Sequence, residues 1–123
     1  MVDTLCTSGA VKHRVGAGAP TAVTTSGAWI SELINQSEGE ISALIPANVI
    51  GGFSGYASYT QKFLEWGCVV RTALKITSYD TKYYVNTPEG AYITNVLWAE
   101  WNDFVKIASD PVKIKALGIT LLA

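Results

Sequence analysis

Between Ser26 and Pro46, the residues Ile30, Leu33, Ile34, Ser37, Ile41, Leu44 and Ile45 recur at helical spacing, while Glu32, Gln36 and Glu40 fall on the opposite face. This pattern predicts an amphipathic helix over residues 27–45, ended by Pro46. Such a stripe needs partners to cover it, and two further segments of the same character supply them. Residues 61–78 carry Phe63, Trp66, Gly67, Val70, Ala73 and Leu74 on one side and Arg71 and Lys75 on the other. Val69 and Ile76 widen that apolar arc, which predicts a central helix, and Gly67 leaves room for a neighbour's close approach. The third begins at Thr87-Pro88-Glu89, where proline suits the first helical position and an acid suits the positive helix end. It runs to residue 108 with Ile93, Leu97, Trp101, Phe104, Val105 and Ala108 as its main stripe and Val96 and Ile107 in a row beside it.

Shorter pieces flank these three. Residues 4–16 read as a short helix capped by Thr7 or Ser8, and Asp110-Pro111 restarts one over residues 112–117 that Gly118 closes. Residues 16–26 read as a flexible linker, residues 79–86 as an extended connection, and residues 118–123 as an apolar tail. The loop 46–60 has Gly51, Gly52 and Gly55 among Val49, Ile50, Phe53, Tyr56 and Tyr59. We expect it to be mobile in the free chain and ordered on contact with a partner. At 123 residues there is room for one core, so the reading is a single all-α domain: a small helical bundle with three long helices, short terminal helices and a long flexible loop.

The chemistry-bearing inventory is thin, and the chain is not expected to be an enzyme. His13 is the sole histidine and sits between Lys12 and Arg14 without a ligand partner at metal-binding spacing. Cys6 and Cys68 match no zinc or redox motif and are expected to be reduced thiols, so no metal or cofactor is anticipated. Glu100 and Asp103 have the spacing of ordinary surface acids. The Gly16-Ala17-Gly18-Ala19-Pro20 run has no preceding strand, and its proline removes a donor that a phosphate loop would use. Ser37 of the sequon Asn35-Gln36-Ser37 falls on the buried stripe. A net charge of −1 offers no electrostatic footprint for a polyanion, so the four tryptophans read as core or interface anchors rather than base-stacking platforms. Met1-Val2-Asp3-Thr4 lacks a basic start and an apolar signal core, and no apolar run is long enough for a membrane span. The expectation is a soluble, intracellular chain.

With 49% hydrophobic and only 15% charged residues, more apolar surface is present than a small core needs, which points to burial against other subunits. Charge is also uneven. Residues 26–60 hold Glu32, Glu38 and Glu40 with no basic residue, whereas residues 61–87 hold Lys62, Arg71, Lys75 and Lys82 against Glu65 and Asp80. We therefore expect a head-to-tail subunit interface in which Glu32 and Glu40 face Arg71 and Lys75 of the next copy, with Val96 and Ile107 adding apolar area.

The opening Leu5-Cys6-Thr7, the Ser26-capped helix with Ile-x-x-Leu-Ile spacing and Ser37, the loop, the central helix, and Tyr79-Asp80 before Thr87-Pro88-Glu89-Gly90 together resemble the head-to-tail connector, or adaptor, proteins of tailed viruses. The resemblance spans residues 4–108 and is one of layout and helix pattern. It implies a structural virion protein at the head-tail junction, made in the host cytoplasm and assembled with itself into a ring of roughly twelve subunits. Such a ring would bind the portal protein, extend the DNA channel without sequence-specific DNA contacts, and receive the tail or a second connector. It implies no catalytic residues and no membrane. The matching contact regions are Val49, Ile50, Phe53, Tyr56 and Tyr59 in the loop, and Ile114, Leu117, Ile119, Leu121 and Leu122 toward the C-terminal end. Which of these meets the portal is left open. The alternative reading is a small helical nucleic-acid-binding or regulatory module, whose best recognition helix would offer only Lys62, Arg71 and Lys75.

Overall fold

The structure is a computed structural model that describes residues 5–15, 27–45, 47–79 and 88–120. Five α-helices follow in order among these residues: α1 (Ser8–Val15), α2 (Gly27–Leu44), α3 (Ser58–Tyr79), α4 (Pro88–Ala108) and α5 (Pro111–Ala116), with no strand. The fold is a small all-α bundle with three long helices. The linker 16–26 lies outside the described residues, as do Leu121 and Leu122; of the extended connection expected at residues 79–86, Tyr79 is instead the last residue of α3 and residues 80–86 lie outside the described residues.

Helix α3 is the hub, because α1, α2 and α4 each pack along it. The wide apolar arc explains this: Leu64, Cys68, Val69, Val70, Ala73, Leu74 and Ile76 are all buried, so the helix has little face left for solvent. Ile30, Ile34, Ile41 and Ile45 cover it from α2, and Leu97, Phe104 and Ala108 from α4. Leu33, Leu44, Trp66 and Trp101 sit at the margin of this core, partly buried. Phe104 anchors an aromatic cluster. Its ring stacks on Phe63 at 4.7 Å and on Trp101 at 5.3 Å, and meets Trp66 edge-on at 5.8 Å.

Helix α3 begins at Ser58, earlier than the apolar stripe indicated. Tertiary bonds hold this extra turn: the buried Thr60 hydroxyl donates to the Leu117 carbonyl at 2.5 Å and the Gln61 amide donates to the Phe53 carbonyl at 2.9 Å. At the chain's start, Thr7 is the cap of α1, accepting from the Ala10 N–H at 3.3 Å.

The loop before α3 is folded onto the bundle. The Asn48 side chain accepts from the Gly51 N–H at 3.1 Å, and the Asn48 carbonyl accepts from Gly52 at 3.0 Å. A single 3-10 turn, Phe53–Gly55, follows. Val49 is fully buried, and Ile50, Phe53 and Tyr56 pack against the core. Phe53 and Tyr56 are thus partly covered by the chain itself, while Tyr59 stays exposed.

The segment after α4 also folds back onto the bundle. Asp110 caps α5 by accepting from the Val112 N–H at 3.0 Å, with Pro111 at the first helical position. Gly118 then takes a left-handed conformation, φ +85°, and the N–H of Ile119 donates back to the Ile114 carbonyl at 3.3 Å. With Gly118 N–H on the Lys115 carbonyl at 3.0 Å this is a Schellman closure, which brings the residue after the glycine over the last turn of the helix. Ile114 and Ile119 are consequently buried in the chain's own core.

Candidate interaction surfaces

Two polar networks tie three helices each through α3, and both use residues expected to act elsewhere. On one flank, Glu40 of α2 accepts from Arg71 Nε at 2.6 Å and from Lys75 Nζ at 2.5 Å. The Arg71 guanidinium also lies 5.3 Å from the Trp101 ring of α4, so a single side chain links α2, α3 and α4. Burial alone would raise the Glu40 carboxyl, but hydrogen bonds from Lys75 and Arg71 and their positive charge outweigh it and hold it below the ordinary glutamate range. These charges are paired within one chain. The Glu40, Arg71 and Lys75 expected to meet across copies are paired here within one chain, because α2 and α3 are adjacent in the bundle and bring the acidic and basic faces together. Glu32 stays exposed.

On the other flank, Arg14 of α1 forms an ion pair with Glu100 of α4, and Trp66 Nε1 of α3 donates to the same carboxylate at 3.2 Å. Glu100 is thereby a structural acid, while Asp103 is exposed one turn away. Among the described residues no three His, Cys, Asp or Glu side chains converge as a metal site. The His13 side chain lies outside the described part of the structure. No described helix is long and apolar enough to cross a membrane.

Two buried polar side chains on α2 complete the framework. Ser37 donates to the Leu33 carbonyl at 3.0 Å and accepts from the Thr72 hydroxyl of α3 at 2.8 Å. Glu38 is buried and accepts from the Leu5 N–H at 2.6 Å, fastening the segment before α1. Its position was visible in the sequence, since Ile34, Glu38, Ile41 and Ile45 share the helical spacing of the buried stripe.

The surface left over is notably apolar. Tyr59 is 60% exposed, Tyr92 70%, Trp98 46% and Val112 75%. Trp98 borders a groove of about 220 Å³ with Leu33, Gln36, Arg71, Leu74 and Lys75. A second groove of about 360 Å³ is lined by Phe63, Ile107, Lys113, Ala116 and Leu117 and is almost wholly apolar. Of the residues expected at interfaces, Ile107 and Leu117 line this groove, Tyr59 is exposed, and Val96 is half-buried. Tyr92 and Trp98 were not singled out beforehand. Their signal is that both are large aromatics lying off the core stripe of α4. Comparison of the chain with family models, curated proteins and solved structures gives no match.

Proposed function

We propose that this chain is a connector subunit of a tailed virus. In this reading it forms a ring at the head-tail junction that binds the portal, extends the DNA channel and carries the tail or a second connector. The observation that carries the reading is the set of large apolar side chains left in solvent, Tyr59, Tyr92, Trp98 and Val112, distributed over α3, α4 and α5. A ring subunit meets a neighbour on each side and further partners above and below, so it requires several separate apolar anchors instead of one patch. The internal pairing of Glu40, Arg71 and Lys75 moves the subunit contact away from these charges and toward the aromatics. The experiment uses the portal encoded beside this chain, mixed with the purified protein and examined by light scattering and electron microscopy. A ring of this protein stacked on the portal is the expected result. A monomer that does not associate with the portal, from a gene whose neighbours encode metabolic enzymes, would overturn the reading.

A further inference from the structure

Cys6 and Cys68 are 62 positions apart, yet their sulfurs lie 2.9 Å from each other. Neither is in a disulfide and both are buried, Cys6 at 3% exposure and Cys68 at 0%. Cys68 projects from the middle of α3, the hub of the bundle, whereas Cys6 belongs to the short segment ahead of α1. Leu5 and Val11 are buried on either side of Cys6, and the Leu5 N–H is bonded to Glu38. The pair is not part of a ligand set for a metal among the described residues.

We propose that Cys6 and Cys68 form a redox-active pair that closes to an intrachain disulfide and fastens the segment before α1 to α3. The oxidant is a peroxide, the class of oxidant small enough to reach a buried pair. The thiolate of Cys6 attacks one oxygen of the peroxide. The O–O bond breaks, sulfur takes that oxygen as a sulfenic acid, and the other oxygen leaves as water after taking up a proton. The Cys68 sulfur then attacks the sulfenic sulfur, the S–O bond breaks, and the oxygen departs as a second water. In sum, two thiols and one hydrogen peroxide give one disulfide and two waters. Cys6 takes the first step because it lies in the short segment ahead of α1 and retains 3% exposure, while Cys68 is wholly buried in the middle of a long helix. Closure lowers the entropy of the unfolded chain across the loop between the two residues and prevents α1 from leaving α3. The inference depends on sulfur placement alone and is independent of the connector reading.

The test uses the full chain, reduced, desalted and exposed to hydrogen peroxide, followed by denaturing alkylation and peptide mapping. The expected product is a monomer that has lost two hydrogens, yields a peptide cross-linked between Cys6 and Cys68, unfolds at a higher urea concentration, and reverts with dithiothreitol. Cys6→Ser and Cys68→Ser should each abolish the cross-link. The mapping of the unmutated chain stands whether or not these variants fold. Oxygen added to both cysteines without a cross-linked peptide, or disulfides formed only between chains, would overturn the proposal.

Discussion

Gly67 of α3 packs against the ring of Phe104 of α4 so closely that a Cβ at position 67 would lie only 2.2–2.6 Å from the ring's Cε2, Cζ and Cδ2 atoms. The absence of a side chain is what lets the two helices approach at the aromatic cluster. Gly67→Ala improves helix propensity by about 1 kcal/mol but overpacks the contact at a cost of about 1–3 kcal/mol, so it should destabilise the fold by up to about 2 kcal/mol net. Combining it with Phe104→Leu should cost less than the sum of the two single changes. Urea unfolding of the four proteins in a double-mutant cycle measures this, and strict additivity would place the strain elsewhere.

The Glu40 network predicts a specific dependence on pH. Because Lys75 and Arg71 depress the folded carboxyl, the network's contribution is fully present above the ordinary glutamate value, about 4.3, and is lost as pH falls through the lower folded value. The side chain is a third exposed, so solvent screening limits the effect of Glu40→Gln to about 0.5–1 kcal/mol at neutral pH. The stability gap between wild type and this variant should narrow on acidification. A gap that is constant across the acid range would contradict the pairing.

Glu38 presents the opposite case, a buried acid holding backbone. Glu38→Ala leaves the Leu5 N–H without its acceptor and should cost about 1–3 kcal/mol, while Glu38→Gln retains a carbonyl acceptor and should cost less. Hydrogen exchange at Leu5 should accelerate in the alanine variant. Unchanged exchange there would show that other contacts hold the segment.

The closure at Gly118 can be tested by its two components. Gly118→Ala forces a side chain into the left-handed region at a cost of about 1 kcal/mol, and Ile119→Ala empties a buried site at about 2–5 kcal/mol. Thermal unfolding should rank them in that order. Equal, negligible effects would mean that the end of the chain contributes nothing to the core.

The three long helices were legible in the sequence because each carries a stripe whose period is fixed by the backbone. Ile34, Ile41, Val70, Leu74, Leu97 and Phe104 are all in the core as their spacing indicated, and Gly67 marks a close approach as anticipated. What periodicity does not encode is which element covers a given side chain. Val49, Phe53 and Tyr56 in a glycine-rich loop look like an unsatisfied surface until the turn at Asn48 lays them on the bundle. Ile119 looks like a free tail until Gly118 reverses the chain. Likewise, opposite charges on α2 and α3 specify attraction but not whether the partner is the same molecule. Cys6 and Cys68 show the same limit, since no local pattern announces that their sulfurs touch.

The internal pairing of Glu40 also changes how assembly has to be probed. Reversing Glu40 to lysine would place three positive groups together inside the subunit, so a loss of rings could reflect damage to the monomer. Trp98 and Tyr92 avoid that confusion, because both are exposed. Their replacement by alanine should leave monomer stability within about 0.5 kcal/mol. If the connector reading holds, an aromatic that fills a neighbour's pocket is worth about 2 kcal/mol at the interface, which corresponds to a roughly 30-fold weaker association per contact. Trp98 borders the groove containing Leu33 and Leu74, and it therefore has apolar area to share with an incoming chain. The measurement is ring occupancy on the portal as a function of subunit concentration, with Glu32→Lys, an exposed charge on α2, as the comparison. Trp98→Ala should shift the half-occupancy concentration strongly and Glu32→Lys only at low salt. Unchanged occupancy in both Trp98→Ala and Tyr92→Ala would remove α4 from the subunit contact and leave the groove of Phe63, Ile107 and Leu117 as the surface to test next.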